Sequence, residues 1–91
     1  MKLSEFDRDV LNVAIKAFRE HDPSLSENDA KAVFLQDWPV IVQGAGGKPI
    51  RMLELRIRLL RGRLPTDRGR VAGKPFWLRR DVVRWAESTR T

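Results

Sequence analysis

Arginine is the residue type in this chain whose number and clustering most clearly point to chemistry. The 91 residues include 18 Lys and Arg against 12 Asp and Glu, a formal net charge of +6. Residues 1–43 carry five bases and eight acids, whereas residues 44–91 carry thirteen bases, eleven of them arginine, and four acids. Guanidinium stays charged and binds phosphate oxygens in a forked geometry, so the second half suits contact with a phosphate backbone. An ordinary solvated surface is the simpler alternative.

Side chains of catalytic or metal-binding type are few. The chain has no cysteine and one histidine, His21, which excludes thiolate chemistry and a histidine cluster. Two carboxylate pairs begin at Asp7 and at Glu27, where acidic side chains at a helix start are explained by the helix dipole. We therefore expect neither catalysis nor a cofactor or metal, and we expect no metal-ligating or catalytic residues.

The glycine group at residues 44–47 lacks the Gly-Lys-Ser or Gly-Lys-Thr ending of a phosphate-binding loop, so we interpret it as a tight turn between helices. The first eight residues are already charged, and no stretch is apolar enough to cross a bilayer. These features predict a cytoplasmic protein without a membrane partner.

A serine followed three residues later by an aspartate occurs at Ser4 and again at Ser26, and this spacing is typical of a helix start. Apolar residues at helical spacing follow both serines. The pattern predicts one helix from about Glu5 to Glu20 and a second that ends near Asp37. Residues 1–38 would then form an acidic extension of two amphipathic helices packed on the same core as the rest.

The apolar run at residues 39–43 fits a buried strand or a helical turn, and its leading proline favours the helix. A further helix is predicted over residues 49–61, ended by Gly62. Two apolar patches on it indicate a helix buried on two sides, one of Ile50, Leu53, Ile57 and Leu60 and one of Met52, Leu55 and Leu59. Its polar face would carry Arg51, Glu54, Arg58 and Arg61.

Residues 66–78 alternate turn formers with β-type residues and predict a hairpin with a basic tip. A last helix is predicted from Arg79 to about Ser88, and residues 89–91 would be a frayed tail. The sequence thus indicates one small domain that is mainly α with a β-hairpin.

The segment from Pro49 to Glu87 resembles the winged helix-turn-helix proteins of the phage excisionase and prophage-regulator (mercury-regulator-like) type. The matching residues are the turn Gly62-Arg63-Leu64-Pro65 and a closing signature made of Trp77, Asp81, Val82 and Trp85. The chain departs from the pattern where the closing helix usually has a Ser or Thr cap, because Arg79-Arg80 stands there. Its glycine-rich turn is also longer.

The resemblance implies a DNA-binding protein of a phage or mobile element, an excisionase or transcription regulator in a bacterial host, with residues 39–88 as the winged helix-turn-helix. Helix 49–61 would enter the major groove and the wing would lie on the backbone or minor groove. Base contacts are expected from Arg51, Glu54 and Arg58. Phosphate contacts are expected from Arg56, Arg61, Arg63, Arg79, Arg80 and Arg84, and wing contacts from Arg68, Arg70 and Lys74.

Double-stranded DNA is therefore the expected partner, bound by a homodimer or by tandem copies, with the acidic amino-terminal helices as the candidate protein contact. A small protein-binding inhibitor or adaptor that uses a helix-turn-helix scaffold is the main alternative, because a basic winged helix also fits an acidic protein surface. RNA binding is a further alternative.

Overall fold

Four α-helices and a three-stranded antiparallel sheet make up the computed structural model, which describes residues 2–89. In chain order the elements are α1 (Glu5–His21), β1 (Ala32–Phe34), a 3-10 turn (Leu35–Asp37), α2 (Trp38–Gly44), α3 (Met52–Leu60), β2 (Gly69–Val71), β3 (Lys74–Leu78) and α4 (Arg79–Ser88). The prediction of a mainly α domain with a hairpin is confirmed at this level.

The first predicted helix is confirmed as α1, and its capping box is formed. The Asp7 backbone N–H donates to the Ser4 hydroxyl oxygen at 3.1 Å, and the Ser4 N–H donates to the Asp7 carboxylate at 3.4 Å. Both bonds satisfy donors that a helix start leaves without partners. The helix ends at His21, just before the Asp22-Pro23 pair, as proline requires.

The second predicted helix, ending near Asp37, is wrong. Ser26 does accept a hydrogen bond from the Asp29 N–H at 3.1 Å, but it caps only one turn. The chain then extends as β1 and pairs with β3, with Val33 opposite Trp77. The capping signature stabilises only one helical turn. The residues after it are extended because they pair with β3. Residues 2–37 therefore contain one α-helix, a strand and a 3-10 turn, not two amphipathic helices.

The sheet has the order β1-β3-β2 and separates two apolar regions. On one side Val33 and Trp77 pack in a main core with residues of α2, α3 and α4. On the other side Val71 and Phe76 pack against Leu11 of α1. Successive side chains of a strand point to opposite faces, so neighbouring residues of β3 serve different cores. Helix α1 consequently lies across the sheet from α3.

The apolar run at residues 39–43 is helical and belongs to α2. Trp38 is the first residue of this helix and is fully buried. Its ring makes edge-on contacts with those of Trp77 and Trp85, at centroid distances of 5.1 and 5.3 Å. The glycine group is a tight turn, as predicted. At Gly47 a Cβ would lie 2.9 Å from Cγ1 of Val42, so this close approach requires glycine.

Helix α3 begins at Met52 rather than at Pro49 and buries one apolar patch only. Leu55 is fully buried, and Met52 and Leu59 pack beside it on the main core. Of the other patch, Ile50 lies before the helix and packs on the main core, whereas Leu53, Ile57 and Leu60 face outward and are 71%, 43% and 91% exposed. The predicted burial on two sides is wrong within residues 2–89. Both patches have helical spacing, so periodicity alone did not distinguish them.

Gly62 ends α3 as predicted. It has φ +66°, its N–H donates to the Leu59 carbonyl at 3.1 Å, and the Arg63 N–H donates to the Arg58 carbonyl at 2.8 Å. These two bonds define a Schellman motif, in which glycine is favoured because of the left-handed backbone.

The hairpin and the last helix have nearly the predicted bounds. Ala72 and Gly73 turn the hairpin with φ values of 55° and 73°, which match a type I′ turn. The Trp77 indole N–H donates to the Pro65 carbonyl at 2.8 Å and holds the hairpin entrance on the core. The predicted frayed tail is wrong at Thr89, whose N–H and hydroxyl bond to α4 carbonyls. Arg90 and Thr91 lie outside the described residues.

Candidate nucleic-acid interface

The arginines expected to contact DNA fall into two structural groups. Arg68, Arg79 and Arg80 lie nearest α1 and form ion pairs with residues that are distant in the sequence. Those on α3 and the hairpin are mostly exposed, and except for Arg58 they form no ion pair within residues 2–89.

Arg68 belongs to the first group. Its Nε and Nη2 donate to the two carboxylate oxygens of Asp81 at 2.9 and 3.0 Å, and its guanidinium lies 5.3 Å from the ring centroid of Phe18. Burial raises the pKa of Asp81, but the hydrogen bonds and charge of Arg68 outweigh this and lower it overall. The same bonds raise the pKa of Arg68. Arg68 thus ties the hairpin entrance to α4 and α1.

Arg79 and Arg80 face the segment between α1 and β1. Arg80 donates from Nη2 to the Asp22 carboxylate at 2.7 Å and from Nη1 to the Ser24 hydroxyl at 3.3 Å. Arg79 lies 3.9 Å from the Asp29 carboxylate. These two side chains were expected on phosphates, and the structure instead gives them partners on the side of the sheet that holds α1.

The Asp22 contacts predict a pH dependence of stability. Hydrogen bonds from Ser24 and Arg80 lower the pKa of Asp22 from 3.8 to about 2. A carboxyl group whose pKa is lowered on folding stabilises the fold above its unfolded pKa, and that contribution disappears as pH falls through the folded pKa. We expect the urea midpoint to fall between about pH 4 and about pH 2, and to fall less in Asp22→Asn. Equal losses in both proteins would contradict this role, since other carboxylates, such as Asp81, would then account for them.

Two of the three expected base contacts bind each other. Arg58 donates from Nη2 to the Glu54 carboxylate at 3.0 Å, and its guanidinium lies 5.7 Å from the ring centroid of Trp85. Both side chains remain partly exposed. An exposed pair of this kind contributes little to stability, so it can open at small cost. The third residue, Arg51, is exposed at the start of α3.

The outward surface of α3 combines bases with apolar side chains. Arg51, Arg61 and Arg63 line a shallow cavity together with the Arg58-Glu54 pair, and Leu53 and Ile57 form its floor. We call Leu53, Ile57 and Leu60 the α3 apolar stripe. Sequence reasoning placed these three residues inside the protein and so missed that they are exposed on the same side of α3 as several arginines.

A groove runs between α3 and the hairpin, and we call it the hairpin groove. The residues that line it come from three segments: Met52, Arg56 and Leu59 of α3, Lys74 and Pro75 of β3, and Phe34, Leu35 and Gln36 of β1 and the 3-10 turn. Its volume is about 210 Å³. The structure thus brings an expected phosphate contact of α3 beside an expected wing contact, although 17 residues separate them in the chain.

Arg70 and Arg84 are the remaining expected contacts. Arg70 lies exposed at the hairpin tip and donates to the Gly73 carbonyl at 3.3 Å. Arg84 is exposed on α4 and forms no ion pair within residues 2–89. Sequence reasoning missed Lys48, which lines a cavity with Arg58 and Trp85. Its position just after the glycine turn that precedes α3 was the available signal.

No family model, curated protein or solved structure matches the chain. Among residues 2–89 there is no group of three or more His, Cys, Asp or Glu side chains placed to hold a metal ion. Within the same residues, no helix has the length and apolar character needed to cross a membrane. The arrangement of bases on α3 and the hairpin is therefore the evidence on which a function rests.

Proposed function

We propose that this protein binds double-stranded DNA as a winged helix-turn-helix, with α2 and α3 as the helix pair and the β2-β3 hairpin as the wing. The observation that carries the proposal is the group of bases on the outward side of α3, where Arg51, Arg61 and Arg63 border one cavity beside the Arg58-Glu54 pair. Arg70 is exposed and follows the strand alternation opposite to Val71, so it points to the face of the sheet that holds α3. Exposed bases on this side of the fold match the charge of a phosphate backbone.

The contacts divide by position. In this arrangement α3 enters the major groove, where Arg51 reaches base edges and Arg56, Arg61 and Arg63 bind phosphates. The hairpin tip, with Arg70 and Lys74, lies over the backbone or minor groove. The Arg58-Glu54 pair borders the same surface and reads bases only after its ion pair opens. Arg68, Arg79 and Arg80 form ion pairs within the fold, so they stabilise the protein and do not contact DNA.

The α3 apolar stripe fits this arrangement. In the major groove the apolar group on base edges is the thymine methyl, which aliphatic side chains contact. Leu53 and Ile57 lie between Arg51 and Arg61 on the same surface, so they would meet base edges while the arginines bind around them. The proposal therefore includes a preference for sites that present thymine methyl groups to Leu53 and Ile57.

The Gly62-Arg63-Leu64-Pro65 turn and the Trp77 to Trp85 signature support a biological setting as well. The first motif ends α3. The residues of the second pack the hairpin and α4 on the main core. Their resemblance to the phage excisionase and prophage-regulator type supports a role in recombination or transcription regulation for a phage or mobile element.

Fluorescence anisotropy with a labelled mixed-sequence duplex tests the proposal. We expect binding at about 50 mM salt, with the logarithm of the association constant falling by roughly 0.9 per phosphate contact against the logarithm of salt concentration. The surface described above predicts several such contacts. Failure to bind at about 50 mM salt would overturn DNA binding, because electrostatic attraction is strongest under that condition.

A protein-binding adaptor is the second candidate, and the exposure of the α3 apolar stripe favours it. Three large aliphatic side chains on one helix also fit a groove on another protein. The two functions differ in their response to salt, since apolar docking is not weakened by added salt in the way that phosphate binding is.

A further inference from the structure

Helix α1 has a second apolar surface that the fold does not use. Phe6, Val10 and Val13 are 63%, 45% and 69% exposed, and Ala17 is exposed one turn further on. These four residues are spaced by four, three and four positions, which places them in one line along the helix. We call them the α1 apolar stripe. The buried side of α1, with Leu11 and Phe18, lies on a different face of the helix and packs on the sheet and its loops.

Charged side chains of both signs lie beside this stripe. Asp9 lies beside the amino-terminal half, and Lys16, seven residues later, lies on the same side of the carboxy-terminal half. Both are exposed, and neither forms an ion pair within residues 2–89. Glu20, also exposed, continues the line of the stripe beyond Ala17. The stripe therefore has a carboxylate beside its first half, an ammonium beside its second half, and a carboxylate past its carboxy-terminal end.

A second copy of α1 running in the opposite direction is complementary to this surface. Phe6 of each copy would meet the small Ala17 of the other, and Val10 would meet Val13, because each pair is symmetric about the middle of the stripe. Asp9 of each copy would lie beside Lys16 of the other, so the contact contains the same ion pair twice. In a parallel arrangement the flank that carries Asp9 and Lys16 would face the opposite flank of the other copy, so the two ion pairs form only in the antiparallel arrangement.

We propose that the protein forms a symmetric dimer through antiparallel packing of the α1 apolar stripes. The proposal does not depend on DNA binding. Helix α1 lies across the sheet from α3, so the dimer leaves α3 and the hairpin uncovered. The interface is one 17-residue helix from each copy, about 25 Å long, which is small for a stable complex. The dimer is accordingly expected to be weak and reversible.

Sedimentation equilibrium of the full chain, from about 10 µM to about 1 mM, tests the proposal. We expect a monomer-dimer equilibrium in this range. Val13→Asp should raise the dissociation constant by about 100-fold, because it places a carboxylate in both halves of the apolar contact. Val40→Asp is the matched control, since Val40 is also exposed (75%) but lies on α2. Far-UV circular dichroism confirms that both variants fold.

A charge exchange tests the antiparallel direction. Asp9→Lys alone and Lys16→Asp alone should each weaken the dimer about tenfold, since each creates two like-charged pairs. The double variant Asp9→Lys/Lys16→Asp should recover the affinity of the original protein. A protein that stays monomeric throughout the concentration range would overturn the proposal, as would a dimer unaffected by Val13→Asp. A double variant that fails to recover would overturn the antiparallel contact.

Discussion

Leu55→Ala is expected to lower the free energy of unfolding by about 3 to 4 kcal/mol, because it opens a cavity at a fully buried position of the main core. Leu55 is the one fully buried residue of α3, and it fixes this helix against Trp38 and Trp77. A loss of this size is a large share of the stability of a 91-residue domain. Urea unfolding followed by tryptophan fluorescence measures it.

Leu53→Ala is the matched control for this prediction. It makes the same substitution two residues earlier in the same helix, at a side chain that is 71% exposed. Helix propensity changes equally in both variants, so the difference between them reports burial alone. We expect the control to change the free energy by no more than about 0.5 kcal/mol. Similar losses in both variants would mean that both sides of α3 are covered in solution.

Replacing Arg51, Arg56 and Arg61 together with glutamine is expected to weaken binding to duplex DNA by about 30- to 100-fold. One base contact and two phosphate contacts are lost, and the salt dependence should decrease by about two units of slope. Each glutamine keeps a polar side chain at an exposed position of the α3 surface, so the fold is expected to remain intact. Anisotropy measured at several salt concentrations gives both quantities.

A second triple variant separates local contact from total charge. Lys2, Arg8 and Lys31 are exposed bases that precede β1 in the chain, and none of them belongs to α3 or the hairpin. Their replacement with glutamine removes the same three positive charges. We expect binding within about threefold of the original protein and an unchanged salt slope. Equal weakening by both triple variants would show that overall charge, rather than the α3 surface, attracts DNA.

Local signals predicted the elements that local chemistry controls. The capping box at Ser4 and Asp7, the glycine end of α3 at Gly62 and the hairpin turn at residues 72–73 are each fixed by a few neighbouring residues. The segment from Ser26 to Asp37 could not be predicted in this way. Its conformation depends on β3, whose residues lie more than forty positions later in the chain.

The sequence predicted that the candidate site would be basic. It did not show which arginines would be exposed there and which would form ion pairs within the fold. Arg68 pairs with a residue 13 positions away, and Arg80 pairs with one 58 positions away. Nothing in the spacing marks these arginines as different from Arg56 or Arg61, because an ion pair between distant residues depends on the packing of α1 and α4. The sequence also did not show which apolar patch of α3 is buried, because both patches repeat with the helical period.

Neighbouring residues of strand β3 pack in two different cores. An insertion within β3 is therefore expected to be tolerated less well than one at the hairpin tip. One residue inserted between Lys74 and Leu78 would exchange the side chains on the two sheet faces and misplace Phe76 and Trp77 together. The hairpin tip at Ala72-Gly73 carries no such constraint, because both residues are exposed and lie outside the ladder. A peptide tag or an extra loop is therefore best accommodated there, whereas the five residues that follow need a fixed length.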